Sequence, residues 1–572
     1  QTMNRKRYIL IRRGALGLLI FSLVGIIWTF FAEKGGSEVP AHRAFLGNNG
    51  DEPTTPVVPL PTDWMNYPPG PYISADDNTE MITLPTLPVP DSLNPPRTNC
   101  PWDDPTLVAW ENQGWRPTRP YQDVTLPANT RVVLRQELSF ELGTLTIPAT
   151  SELVLADAAM ELYVQGIVVE GALTLGSESC PILNKVTITL FGERPNNVRF
   201  RSVNPSYKGI YVPQGGDLQL HGKTYFPTWT RLAQTVDPQG SYPSNVLFLQ
   251  QAVNWELGQK IVVITSAIKD SRDWHQNEIR TIASVHTATN HPEVAAVVTV
   301  TEPLDYRHVG HSSYQTEVGL LTRNIVIQGL REDSEPTDPD PLNCVSDPGQ
   351  LYYLGYDETM GAPCPDTETT GYGGHILVEG EAQVEGVELV RMGQTNVQER
   401  YPFQFRMLAD NCPHCYVRRS SIHRSYYRGI VLHGTNATTV SEIVAYDGSG
   451  DCYMLKDGVE ERNTLSFNLG AHIHWLGPEP AGGVGREDPS YTEDEKLAFP
   501  ADTSASAFFL PNAWNTVVGN VAVGVSLYLA ILMVWAVLQV WCRLVKRFQF
   551  AHIQNLRLLL THRVGPDFTR SI

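Results

Sequence analysis

Short strand-like runs recur along this chain with almost no helical periodicity between them, and that limits the folds open to it. From Trp102 to about residue 222 the runs are four to six residues long, as in "TRVVLRQELSFELGTLTIPATSELVLADAAMELYVQGIVVEGALTLGS". Gly143, Gly166, Gly171 and Gly176 punctuate them. Similar runs return at "NIVIQG", "HILVEGEAQVEGVELVRMG", "SSIHRSYYRGIVLHGTN", "TVSEIVAYDGSGDCYML" and "RNTLSFNLG", roughly 20 to 25 residues apart. A strand-turn unit of that period cannot bury its apolar face alone; it does so by stacking on its own repeats. The pattern predicts a parallel β-helix, with an open sandwich as the alternative.

The ends read differently. Gly14–Ala32, "GALGLLIFSLVGIIWTFFA", holds 19 residues without a charge, about the length of a bilayer-spanning helix. Arg5, Lys6, Arg7, Arg12 and Arg13 precede it, so residues 1–13 are expected in the cytosol as a basic tail and 14–32 as an uncleaved signal anchor, against a cleaved signal peptide. A second apolar run, 517–542, is followed by Arg543, Lys546 and Arg547. It predicts a second span with residues 543–572 cytosolic, against a buried core element. Both termini then face the cytosol and the folded part lies outside the cell, with the plasma membrane as the expected location. Residues 33–99 are Pro-rich, for example "PTTPVVPLPTDWMNYPPGPY", and suit an extended extracellular stalk.

At 572 residues, two or three folded units are expected. The net charge of -18 argues against nucleic acid as a partner. Of eight cysteines, seven (Cys100, Cys180, Cys344, Cys364, Cys412, Cys415 and Cys452) fall in the expected ectodomain, where disulfides persist. "CPHC", Cys412–Cys415, has redox and zinc-knuckle spacing, but with no second pair and no following helix a disulfide is the better reading, and no metal site is assigned. Cys100 and Cys180 are further disulfide candidates. Asn436, in "NAT", is a sequon.

The strand-rich block resembles a G8 domain through "WENQGW" and "GALTLGSESCPILNKVTITLFG". "KGIYVPQGGDLQLHGKTYFPTWTRL", "VNWELGQKIVVIT", "EVGLLTRNIVIQG", "GGHILVEG", "VELVRMGQ", "YVRRSSIHRSYYRGIVLHGTN", "DGVEERNTLSFNLG" and "SAFFLPNAWNTVVGNVAVG" resemble, in order, the family of the cell-surface hyaluronidases and fibrocystin-L. The resemblance runs from about residue 100 to 525. It implies an all-β chain: a G8 β-domain (100–222), then a right-handed parallel β-helix ectodomain (223–515), which the two apolar runs would flank as N- and C-terminal transmembrane helices. It implies hyaluronan or another extracellular glycan as the partner, a hyaluronan-cleaving glycosidase as one activity, calcium as a cofactor, and a structural or receptor role of the fibrocystin-L kind as another outcome. Shared fold does not carry activity with it.

At the expected site this chain departs from the family. Relatives read Y-P-x-H-[FW]-H where this chain has "YPFQFR", so Gln404 and Arg406 replace two histidines. Two residues apart on a strand, such side chains share one face about 7 Å apart. Gln404 cannot titrate and Arg406 stays charged, so neither serves as an acid–base catalyst or a good metal ligand, although both can hold a sugar hydroxyl or carboxylate. Asp451 replaces a third family histidine, in "GDCYM" for G-H-C-F-F. These losses favour glycan binding without catalysis. His375, His423 and His433 match family positions, and a lone rung histidine is most often structural. Glycoside hydrolysis needs paired carboxylates; Asp451, Asp457, Glu460 and Glu461 are the local candidates, and "KDGVEERN" reads more readily as a turn. Arg418, Arg419, His423, Arg424 and Arg428, with Tyr416, Tyr426 and Tyr427, predict a positive aromatic stripe for an anionic glycan, with Arg391, Arg400 and Arg406 on nearby rungs; scattered surface charge is the alternative.

Overall fold

The structure is a computed structural model that describes residues 87–90, 93, 96–194, 204–240, 242–267, 275–291, 293–311, 314–335, 371–395, 397–474, 505–525, 553–554 and 557–558. Its backbone is a coil of parallel strands in three stacks. The first runs through Arg131–Leu134, Glu152–Leu155, Ala172–Leu175, Asp217–His221, Glu381–Glu385, Tyr416–Arg418, Thr439–Ser441, Thr464–Ser466 and Thr516–Val518. The second includes Val186–Leu190, Ile325–Gly329, Val387–Val390, Ser421–Ser425, Val444–Ser449, Leu469–His474 and Val521–Val525. The third includes Leu142–Ile147, Gly209–Val212, His375–Val378, Phe403–Ala409, Ile430–Thr435, Tyr453–Leu455 and Phe508–Phe509. The long strand Met160–Val169 serves both of the latter, its first half pairing in the second stack and its second half in the third.

Alternate residues of every strand point into the coil. Val417, Val440, Leu465 and Val517 fall in register, and the third stack adds Phe403, Phe405, Ile430, Leu432, Tyr453 and Phe508 to one continuous core. Burial of such columns, at about 25 cal/mol per Å² of apolar area, is what holds rung to rung. The G8-like block does not form a separate domain: Asp217–His221 pairs on one side with Ala172–Leu175 and on the other with Glu381–Glu385, so the ladder crosses the expected boundary at 222 unbroken.

The corner from the first stack to the second is made by one left-handed residue per rung: Gly386 (φ 66°), Arg419 (50°), Glu442 (57°), Phe467 (55°) and Gly519 (65°). At Gly519 space requires glycine as well, since a Cβ would meet the Phe467 ring 2.6 Å away, and at Gly386 a Cβ would crowd the Lys223 carbonyl oxygen at 3.0 Å. The residue after this corner carries a polar ladder. Ile443 N–H donates to Asn468 Oδ1 (3.0 Å), and Asn468 N–H donates to Asn520 Oδ1 (3.0 Å). A second ladder precedes the first stack, where Thr438 N–H donates to Asn463 Oδ1 and Asn463 N–H to Asn515 Oδ1, both at 2.9 Å.

The described residues between 223 and 324 are not rungs, contrary to the expectation of a β-helix from 223 onward. They fold as a six-stranded sheet of antiparallel pairs, built from Trp229–Arg231, Val246–Leu249, Lys260–Val263, Glu278–His291, Val294–Val300 and Glu317–Leu320, with its own core of Leu247, Ile261, Val298 and Val318 among others. This module covers the outer face of the second stack, where Val262, Ile264 and Leu321 pack on Val444, Leu469 and Val521. It also caps the left-handed corner. Arg323 Nε donates to Arg419 O (2.9 Å), Thr228 Oγ1 to Glu442 O (2.8 Å) and Trp229 Nε1 to Phe467 O (2.7 Å).

Cys100–Cys180 and Cys412–Cys415 are disulfides, and Cys452 is a buried free thiol. The expected first span, 14–32, lies outside the described residues. The second apolar run begins as rung strands, Thr516–Val518 and Val521–Val525, rather than helix, because its valines continue the core columns; residues 526–542 lie outside the described residues. Among the described residues no helix is long and apolar enough to cross a membrane.

Candidate functional site

The outer face of the third stack gathers part of the expected site. Phe403 and Phe405 point into the coil, so Gln404 and Arg406 point out. Register places Leu377, Gln404, Val431 and Met454 in one outer column, and Arg406 beside His433. Val378 pairs with Phe405, which brings Glu379 level with Arg406. Arg406 is held between Glu379 and Glu399, at 3.1 Å from each, and Tyr211 Oη donates to Glu379 (2.7 Å). His433 Nε2 lies 3.0 Å from Asp457, and its Nδ1 lies 3.4 Å from Gln404 Nε2. Burial holds the His433 imidazole below its ordinary value, with Lys456 acting the same way and Asp457 opposing both. A neutral ring donating from Nε2 to Asp457 presents its Nδ1 lone pair to the Gln404 amide. Two polar atoms of this face, Gln404 Oε1 and Arg406 Nε, are buried with no hydrogen-bond partner.

Tyr427 and Arg428 are buried against this face rather than free upon it, Tyr427 packing with Tyr401, Val431 and Met454. They are 5% and 3% exposed, the Tyr401 and Tyr427 rings are 5.2 Å apart, and the Arg428 guanidinium sits over both. Neither ring is available to stack on a sugar, which corrects that expectation. The positive stripe is also overturned, because this acidic chain supplies a carboxylate to most of its arginines. Arg418 pairs with Glu178 and Glu385, Arg419 with Glu385 and Glu442, and Arg424 with Glu335. These residues also diverge in space: Arg418 and Arg419 flank the first corner, whereas His423, paired with Glu388, and Arg424 belong to the second stack.

The carboxylate candidates divide similarly. Asp451 accepts from Ser506 N–H and Oγ–H and is a structural anchor. Glu460 is fully buried and accepts from Gly434 N–H and Asp457 N–H, which makes "KDGVEERN" the turn it resembles. Asp457 reaches the outer face beside His433, and Glu461, partly exposed, pairs with Arg462. His375 is fully buried, with Nε2 2.7 Å from Pro205 O, and burial pushes its imidazole well below the ordinary range. Asn436 is half-buried; its Oδ1 accepts from Glu461 N–H and its Nδ2 donates to Asp410. Calcium finds no fitting donor set in the one cluster of metal-binding side chains among the described residues. Glu381, Cys412 and His414 come together, but the sulfur is in a disulfide and calcium takes oxygen. Glu379 and Glu399, which position Arg406, were not singled out from sequence; only the strand register, visible in the structure, brings Glu379 level with it.

Residues 109–233 match the family model described as G8 domain, and residues 371–533 match that described as CEMIP beta-helix. The chain is therefore a G8-domain protein with a parallel β-helix of the CEMIP type. Its relatives include protein rliB of Dictyostelium discoideum, 35% identical over 82% of this chain and 37% of that protein, and fibrocystin-L of Mus musculus, 29% identical over 72% of this chain and 9% of that protein. The chain thus spans well under half the length of these curated relatives. Among solved structures, the tailspike gp61 of Pseudomonas phage phi297 is similar at a TM-score of 0.17 and 8% identity, covering 65% of this chain and 55% of that one.

Proposed function

We propose that the outer face around Gln404 and Arg406 binds an extracellular glycan such as hyaluronan without cleaving it. The chain would do so as a membrane-anchored protein of the cell surface. The carrying observation is the pair of buried polar atoms, Gln404 Oε1 and Arg406 Nε, that have no partner beside His433. An acceptor and a donor on one strand face match the alternating hydroxyls and ring oxygens of a saccharide. Glu379 and Glu399 fix the guanidinium so that it need not be ordered on binding. Binding without cleavage is supported by the residues: Gln404 does not titrate, Arg406 does not deprotonate, and Asp451 and Glu460 are tied to backbone. The two disulfides among the described residues support an oxidising compartment.

Hydrolysis remains the second reading, supported by the His433–Asp457 pair at 3.0 Å. Incubating the full chain with sized hyaluronan, with and without calcium, separates the two. Capture without shortening, weakened about tenfold in Arg406→Ala, is expected. Shortening of the polymer that disappears in His433→Ala would overturn the binding-only reading.

A further inference from the structure

A second site lies at the corner where the first stack turns, away from the face just described. A cleft of about 210 Å³ opens there, between Pro90 and Leu93 on one side and His221, Glu385 and Arg418 on the other. Its charges are balanced. Arg97 pairs with Asp157 (2.7 Å), Lys223 with Glu256, and Arg418 with both Glu178 and Glu385 at 2.8 Å. An anion therefore gains little by entering.

The feature without a counterpart is His221, which is 3% exposed. Gln219 Nε2 donates to Asp217 Oδ1 (2.7 Å), which turns Gln219 Oε1 toward His221 Nε2 (3.0 Å). That contact puts the proton on Nε2 and leaves Nδ1 as a bare lone pair, and Nδ1 is buried with no hydrogen-bond partner. The group that completes it must be a donor. Around it the ion pairs offer donors and acceptors in alternation, which is what a ring bearing several hydroxyls uses. The volume falls below the range typical of drug-sized ligands, which suits a single ring.

We propose that this cleft binds a single neutral sugar ring, which donates a hydroxyl to His221 Nδ1. The site is independent of the glycan face around Gln404. Saturation-transfer NMR on the full chain, with methyl hexosides and N-acetylhexosamine as probes and acetate and sulfate as charged competitors, tests it. We expect neutral sugars to bind with a Kd of about 1 mM, binding to fall at least roughly tenfold in His221→Phe, and hyaluronan capture to be unchanged in that variant. Neither anion should compete. Equal saturation in His221→Phe, displacement by acetate or sulfate, or no saturation from any neutral sugar would overturn the proposal. Should His221→Phe fail to fold, the nitrogen-15 shift of His221 Nδ1 in the parent chain decides: neutral sugars should move it, and a shift unmoved at saturation overturns the site.

Discussion

Replacing Asn468 with alanine tests the polar ladder directly. Asn468 is fully buried. Its Oδ1 accepts from Ile443 N–H at 3.0 Å, and its Nδ2 donates to Val440 O at 3.0 Å and to Asn520 Oδ1 at 2.9 Å. Alanine leaves the Ile443 N–H buried and unpaired, a cost of about 1–3 kcal/mol, and removes two donations worth about 0.5–1.5 kcal/mol each. A loss of about 3 kcal/mol is expected. Because the chain has more than one core, the assay should be local: hydrogen exchange read on peptides covering residues 438–470. At about 1.4 kcal/mol per tenfold, exchange there should accelerate on the order of a hundredfold. Asn468→Asp sharpens the test. It keeps the acceptor for Ile443 but turns a carboxylate oxygen toward Val440 O and Asn520 Oδ1, so its loss should grow as pH rises above the carboxylate range. Exchange in Asn468→Ala within about twofold of the parent would refute the claim that the ladder holds the rungs in register.

The two disulfides should differ in worth. Cys100–Cys180 is separated by 80 residues and Cys412–Cys415 by 3. The chain-entropy relation then gives about 4.5 and about 2 kcal/mol, so paired serine substitutions should lower the denaturation midpoint of the N-terminal rungs far more in the first case. His221 gives a pH dependence of known sign. Burial depresses its imidazole to about 4, whereas the unfolded chain titrates near 6.5. The unfolded state therefore binds more protons between these values, and stability present above pH 6.5 is lost as pH falls toward 4, by up to about 3 kcal/mol. Urea titrations should show that slope flattened in His221→Phe.

The rung period was legible because inward columns such as Val417, Val440 and Leu465 need apolar residues at a fixed repeat, and that repeat survives in the sequence. The inserted module was not, because strands such as "KIVV" and "VAAVVTV" alternate as rung strands do and nothing local distinguishes antiparallel from parallel partners. The Gln404–Arg406 pair was placed correctly on one outer face by parity alone. The arginine stripe failed for a reason of distance: Arg418 is neutralised by Glu178, 240 positions earlier in the chain, and no spacing rule reaches that far. Nor was the left-handed corner visible, since Arg419, Glu442 and Phe467 occupy it in place of glycine.

That corner also determines where the module can sit. A left-handed residue turns its carbonyl out of the ladder, and three successive rungs offer Arg419 O, Glu442 O and Phe467 O to Arg323, Thr228 and Trp229. The three carbonyls act as the notches of a key, cut at one rung's pitch. A module that slid by a fraction of a rung would lose all three hydrogen bonds at once. The repeat that makes every rung look alike to the core thereby also spaces the points of attachment, and a foreign fold is held in phase with the ladder it covers.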